Sequence, residues 1–357
     1  MSAARHCLHD AIVACRQRVP AVLAVVMASE GSTYARAGAM ALFGADGAQR
    51  GWLSGGCLEP EIARCAAAAA AAGELAWMDI DTRDDEDLLS GSAVGCRGRL
   101  HLALLPLRAL PGFERLAQAW LQRRGALRLA LKADGGIVAA VGGEALQWRM
   151  RCQAWAGAAA CGGQVQVPPP PRVSVFGAGP ETAVLLPLLR QLGWMTTLVE
   201  QRPRWAAQAA LADQALACTP TRALDDCADS DAALVMHHHF ELDREALAAL
   251  AASPIPFLGL LGPARRREDL FRLLRPQQHL QLLPRLHSPI GLRLGGSGAE
   301  AIALSIAAQL QGIRGAQQGS ALAEPNLCSV TRLHAGDGAS APPVPLRADS
   351  GAREAAR

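Results

Sequence analysis

Apolar positions along the chain fall into two rhythms, one helical and one strand-like. Over 2–18 (SAARHCLHDAIVACRQR) they predict an amphipathic helix, while AVLAVVMA (21–28) and MALFG (40–44) are short apolar runs of strand type. The polar, glycine-rich EGSTYARAGA between those runs predicts a loop, and ADG (45–47) a turn. GWLSGGCLEPEI (51–62) follows, with Cys57 directly behind Gly55 and Gly56 and a helix opening near Pro60. That helix continues through the alanines of 66–72, which favour helix strongly. WMDIDT (77–82) predicts a strand, DDEDLL (84–89) a short helix and GRLHLALLPL (98–107) another strand. A helix over 113–124 and two strands around the DGG turn within 127–143 complete this half.

Four prolines and an arginine (168–172) predict a stiff, extended linker, because such a run continues neither helix nor sheet. The segment beyond it carries the clearest fold signal. VSVFGAGPETAVLLPLLRQLGWMTTLVEQRPRW reads as strand, glycine-rich turn, helix, strand. Gly177 and Gly179 match the first two glycines of a dinucleotide-binding turn, Pro180 suits the first helical position, and Thr182 stands where the third glycine is expected. Glu200 closes the second strand, where an acid would hold a ribose hydroxyl, with Arg202 and Arg204 just beyond. Strands at 232–236 and 256–262 continue the rhythm, with a helix over 243–252 between them. Their carboxyl ends present His237–His239 and Gly262 with Arg265, Arg266 and Arg267, and His287 precedes the last helix. Ser297 and Glu300 have capping-box spacing for that helix. The expectation is an α/β protein: an N-terminal mixed α/β domain (1–167), the linker, a Rossmann-like doubly wound domain (173–315) and a disordered tail (316–357).

Composition narrows the function. A net charge of +3 over 357 residues argues against nucleic acid, and no charge-free apolar run of membrane-spanning length occurs. The amphipathic start lacks a continuous apolar core for secretion, so a cytoplasmic location is expected. None of the ten cysteines forms a C-x(2–4)-C pair, which leaves a structural zinc or iron–sulfur site without support.

Several blocks together resemble a known family. GSTYARAGAMALFGADGAQRGWLSGGCLEPEI resembles the G-S-T-P-R…G-A…G…G-G-x-L-E signature of XdhC/CoxI-type accessory proteins of molybdenum hydroxylases. DTRDDEDLLSGSAVGCRGRLHLALLPL resembles the block that follows, and HHHFELDREAL, LGLLGPARRREDL and HSPIGLRLGG resemble those of the second domain. The resemblance spans roughly 15–105 and 172–310, leaving 111–167 poorly matched; Tyr34 stands where proline is usual, and Arg97 replaces a glycine. It implies a factor that binds molybdenum cofactor, supports its sulfuration and delivers it to a xanthine- or CO-dehydrogenase-like apoenzyme. A cysteine desulfurase-type sulfur donor and a homodimer are the implied company.

The residues suit such an anionic, soft-metal cargo. Ser32, Thr33 and Arg36 stand on a glycine-flanked loop, Gly55 and Gly56 shape a second, and Cys57 and Cys96 offer sulfur. Cys96, between Gly95 and Arg97, is the favoured sulfur contact to the metal. The competing reading is an NAD(P)-dependent oxidoreductase using Gly177, Gly179 and Glu200, with His238 and His287 for proton transfer and Arg265 and Arg266 for anionic groups. A mixed reading takes nucleotide as a regulatory ligand, and a weaker one places zinc on the histidine triplet.

Overall fold

A computed structural model of the chain describes residues 2–82, 98–155 and 162–319. The short helix expected over 84–89, Cys96, Arg97 and residues 320–357 of the expected tail lie outside the described residues.

The N-terminal half runs α1 (Ser2–Gln17), β1 (Ala21–Gly31), β2 (Met40–Gly44), β3 (Gln49–Arg50), α2 (Glu59–Ala72), β4 (Leu75–Asp81) and β5 (Gly98–Pro106). It continues with α3 (Phe113–Leu121), β6 (Leu127–Leu131), β7 (Gly136–Val141), β8 (Glu144–Arg149), β9 (Cys152–Trp155) and β10 (Gly163–Val167). Its six-stranded sheet has the order β3-β2-β1-β5-β4-β9, mostly antiparallel, with β9 parallel to β4. Strand alternation serves two cores. Leu23, Val25 and Met27 of β1 pack with α1, α3 and the second sheet, while Val22, Ala24 and Val26 meet α2. Helix α2 turns Ile62, Cys65, Ala66 and Ala69 to that second core; its alanines carry little side chain, so the helix lies close on the sheet. Gly73, left-handed at φ 67°, ends it by donating its N–H to the Ala69 carbonyl.

Two expectations need correction in this half. Strand β1 runs on to Gly31 because Glu30 and Gly31 pair with Arg99 and Gly98, so the loop begins only at Ser32. The middle segment holds a four-stranded antiparallel sheet, β10-β6-β7-β8, and also lends β9 to the first sheet, instead of two strands alone. Strand β8 alternates half-buried and exposed residues without a fully buried one, so its apolar signal is weak.

The second half runs β11 (Arg172–Phe176), α4 (Thr182–Gln191), β12 (Met195–Val199), a 3-10 stretch (Pro203–Leu211), β13 (Gln214–Leu216), α5 (Pro220–Cys227) and β14 (Ala232–Val235). It ends with α6 (Phe240–Ala251), β15 (Phe257–Leu260), α7 (Ala264–Phe271), α8 (Pro276–Leu282), β16 (Leu286–His287) and α9 (Ala299–Gly319). All six strands are parallel in the order β13-β12-β11-β14-β15-β16, the doubly wound arrangement expected. Strands β14 and β15 are buried along their length between two cores. The order reverses between β11 and β14, which opens the crevice at their carboxyl ends.

Two local expectations fail here. Pro180 lies in the turn ahead of α4, whose first residue is Thr182. Helix α9 begins at Ala299, so Gly298 and not Ser297 precedes it, and the Gly298 carbonyl accepts from Ile302 N–H.

Residues Met1–Arg314 form one compact unit, and a second begins at Gly315. Within the first, Arg123 at the end of α3 donates to the Pro170 carbonyl and to Asp231, with Nη1 2.8 Å from Oδ2. Arg5 of α1 donates to Asp213 and to the Trp194 carbonyl. A third arginine closes a helix end: Arg285 donates to the carbonyls of Leu250 and Ala251, in the last turn of α6, and of Ser253 and Ile255 just beyond it. Arg285→Ala is expected to cost about 2–3 kcal/mol, seen as a lower midpoint in thermal melts, and lysine should restore little because it lacks the planar fork.

Candidate functional site

The loop after β3 is built around one carboxylate. Glu59, 3% exposed, accepts at Oε1 from the N–H groups of Leu53 (2.9 Å) and Ser54 (2.8 Å). At Oε2 it accepts from Gly56 N–H (2.7 Å) and the Ser54 hydroxyl. Burial opposes ionisation of Glu59, but these donors outweigh it and hold the carboxyl below its usual range. Wrapping a chain this tightly places Gly55 and Gly56 at φ 79° and 112°, where a Cβ is strained. Cys57 then emerges exposed, and it is the one exposed cysteine among those described. Cys7 and Cys65, by contrast, are buried, and burial pushes their thiols up to about 12 and about 11.

Other motif residues meet this loop at one end of the first sheet. A Cβ on Gly98 would lie 2.5 Å from the Ser32 carbonyl and from Thr33 Cγ2, so the start of β5 presses against the Ser32–Thr33 backbone. Thr33 donates to the Ala35 carbonyl (2.7 Å), and Thr33, Tyr34, Ser54, Leu58 and Gly98 line a small recess of about 20 Å³. Arg36 is exposed on the same loop. The structure therefore brings together Ser32, Thr33, Gly55, Gly56 and Cys57. Cys96 precedes Gly98 by two positions in sequence and lies outside the described residues.

Around the same sheet end, a groove of about 190 Å³ is lined by Glu30, Asp79, Arg99, His101 and Gly163. Asp79 and His101 oppose each other across β4 and β5, and Asp79 accepts from His101 Nδ1 and Arg99 Nη2, each at 2.5 Å. Burial opposes ionisation of Asp79 too, but His101 and Arg99 keep its carboxyl below the usual range. Sequence reasoning passed over Glu59, Asp79 and His101 as site residues. The acid of G-G-x-L-E and the alternate positions of WMDID and GRLHL were the available signals.

The second group of candidates gathers where β11 and β14 part. Gly177, at φ 97°, lies against His237, and a Cβ there would collide with that residue's N, Cα and Cγ. Ala178 N–H donates to Glu200 Oε2 (2.7 Å) and Gly179 N–H to Thr182 Oγ1 (2.9 Å). Glu200 has its side chain 3% exposed and pairs with Arg202, which also donates to the carbonyls of Ala178 (3.0 Å) and His237 (2.8 Å). Burial works against the Glu200 carboxylate, while the Arg202 hydrogen bonds prevail and lower its pKa. His238 Nε2 is 3.2 Å from Glu181 Oε2.

The histidine triplet is divided among separate duties. His237 is buried on Asp243, 3.1 Å from Nδ1 to Oδ1, and His239 caps α6 by accepting from Leu242 N–H (3.5 Å). Among the described residues no group of three or more His, Cys, Asp or Glu is placed to hold a metal ion. Arg266 reaches the crevice through Asp243, at 2.5 Å, and Arg267 donates to the Ser288 carbonyl (3.1 Å). Arg265 is exposed on the first turn of α7. His287 stands apart on β16, stacked on Phe257 at 4.3 Å and 3.3 Å from Gln309.

A mixed α/β half with a glycine-bound, thiol-bearing loop, joined to a Rossmann-type half, defines a two-part α/β protein. Residues 14–81 match the XdhC and CoxI family and residues 173–310 the XdhC Rossmann domain. The chain belongs to the XdhC and CoxI family. It is 27% identical over 333 residues to a probable xanthine dehydrogenase subunit of Bacillus subtilis (strain 168), covering 85% of this chain and 96% of that protein. A crystal structure described as a xanthine dehydrogenase from Bacillus halodurans superimposes with a TM-score of 0.70 at 27% identity, covering 87% of this chain and 97% of that one. The uncharacterized protein YqeB of Escherichia coli (strain K12) is 33% identical over 88 residues, 24% of this chain and 16% of that protein. Among the described residues no helix is long and apolar enough to cross a membrane.

Proposed function

We propose that this protein is a maturation factor for a xanthine dehydrogenase-like molybdenum hydroxylase: it binds molybdenum cofactor as cargo, supports its sulfuration and hands it to the apoenzyme. The observation that supports this most is the meeting of the Ser32–Thr33 loop, the Glu59-bound double-glycine loop and the start of β5 at one sheet end, with Cys57 exposed there. A soft sulfur and hydroxyl donors, with the exposed cation Arg36 nearby in sequence, fit a phosphate-bearing, soft-metal cargo that must also be released. Cys96 remains the proposed sulfur contact to the metal, on the sequence alone. A desulfurase-type sulfur donor and a homodimer belong to the same proposal. The test is pterin bound per chain after anaerobic purification from cells that make the cofactor. Wild type should carry pterin, and Cys96→Ala should carry much less. A wild type that never carries pterin, and never raises a co-produced hydroxylase's activity, overturns the reading.

The oxidoreductase alternative has less support from the crevice. A pyrophosphate on the glycine turn would have to displace Glu200 from Ala178 N–H and Thr182 from Gly179 N–H, so these residues as arranged do not fit a dinucleotide. NAD(H) and NADP(H) at about 1 mM are expected to leave the thermal midpoint unchanged. A site of about 10 μM affinity would add roughly 2.7 kcal/mol under those conditions, a shift that differential scanning fluorimetry resolves.

A further inference from the structure

The chain has 14 aromatic residues, six Phe, seven Trp and one Tyr, and most described large ones are buried. The two most exposed are the chain's one tyrosine, Tyr34, at 59%, and Trp52, at 55%; Phe240 follows at 37%. Tyr34 and Trp52 both stand at the double glycine. A Cβ added to Gly55 would lie 3.0 Å from Tyr34 Cδ2 and 3.3 Å from its Cε2, and one added to Gly56 would lie 3.9 Å from Trp52 Cζ3. Two rings thus flank a stretch of backbone that carries no side chains, with the exposed thiol of Cys57 next in the chain.

The backbone beneath is fixed. Leu53, which follows Trp52, and Gly56 both donate their N–H to the buried Glu59. Exposed aromatic area held on a rigid loop marks a binding surface. A Cβ on Gly55 would press on the Tyr34 ring, so glycine is what lets that ring lie this close to the loop. Aromatic faces stack on heteroaromatic rings with little regard for their substituents, whereas a thiol supplies a soft donor close by.

We propose that Tyr34 and Trp52 form a two-ring platform that receives the planar pyrimidine ring of the cargo's pterin, beside Cys57. This rests on the cofactor-binding reading and adds to it the subsite for the organic part. Tyr34 holds the position where the family signature has proline, so the platform is a property of this chain.

The experiment is anaerobic equilibrium binding of molybdenum cofactor, released from a denatured molybdenum hydroxylase, to the full chain, read by quenching of Trp fluorescence and by pterin co-sedimentation. Tyr34→Leu and Trp52→Leu keep apolar area but remove the ring, and each is expected to raise Kd about tenfold. Tyr34→Phe and Trp52→Phe keep a ring and should stay within about twofold. Thermal midpoints of all four should match wild type, because both side chains are exposed. Tight pterin binding by wild type with unchanged Kd in both leucine variants overturns the platform and leaves the cofactor reading standing. No binding by folded wild type removes the cofactor reading and the platform with it. An unchanged Kd together with dissociation of a wild-type dimer in the leucine variants makes this patch a protein interface and overturns the platform as well.

Discussion

Glu59→Ala is expected to lower stability by about 4 kcal/mol and to leave the protein almost free of pterin. One buried carboxylate serves four donors, from Leu53, Ser54 (backbone and hydroxyl) and Gly56. Removing it strands the buried donors of Leu53 and Ser54 away from water, a larger penalty than the loss of a single hydrogen bond. It also frees Gly55 and Gly56, whose left-handed conformations are strained for other residues but only loosely determined for glycine itself. Glu59→Gln should fall between, because an amide oxygen accepts but its NH₂ meets further donors. The acid limb of stability gives an independent check. The folded pKa of Glu59 is depressed, so its contribution is complete above the unfolded value of about 4.3 and is lost as pH falls through the lower folded value. Urea melts of wild type between pH 6 and about pH 3 should therefore lose stability that Glu59→Gln never had. Equal pH dependence in the two proteins would remove Glu59 from this role.

Gly177→Ala is expected to cost about 4 kcal/mol, enough to lower the thermal midpoint by roughly 8–16 °C or to send the protein into the insoluble fraction. Two penalties combine: a left-handed backbone at φ 97° and a methyl group driven into His237, whose backbone cannot retreat because His237 N–H donates to the buried Asp243 (3.1 Å). Gly179→Ala should be milder, because its Cβ would meet the movable ends of Glu181 (2.7 Å) and His238 (3.0 Å). The contrast separates two meanings of a glycine motif. If the glycines served a pyrophosphate, Gly179→Ala would be as harmful to function as Gly177→Ala; here the larger effect belongs to the glycine that packs against a strand end. Thermal melts of the two variants, side by side, check the difference in stability.

The doubly wound half was legible in the sequence for a physical reason. Strands buried on both faces read as short apolar runs, such as AALV and FLGL, and parallel strands must alternate with helices. The middle segment was harder. Strand β8 alternates without a fully buried residue, β9 is only four residues long, and β10 (GQVQV) is apolar at two positions, so none stood out from loop. Site residues divided along similar lines. Motif spacing pointed to Gly177, Gly179 and Glu200 and to the pair Gly55–Gly56, all of which shape backbone. What the side chains bond to was not legible. Glu200 faces its own turn and Arg202, and Glu59 serves its loop, because a carboxylate's partners depend on the three-dimensional return of the chain. His287 sits at the sheet edge for the same reason: the rule that ligands lie beyond carboxyl ends does not say which strand is outermost.

Arg5 stands at the fifth position of the chain and bonds to Asp213 and to the Trp194 carbonyl in the second half. The first turns of α1 are therefore sewn to a carbonyl 189 residues away and a carboxylate 208 residues away. Removing the N-terminal helix is accordingly never a local change. It takes from Asp213 one of two cations, leaving Arg190 at 3.2 Å, and it leaves the Trp194 carbonyl without the Arg5 donor. In a nascent chain the consequence is one of timing: the permanent partner of α1 is made 208 residues after Arg5, so the helix must wait for the sheet that completes it.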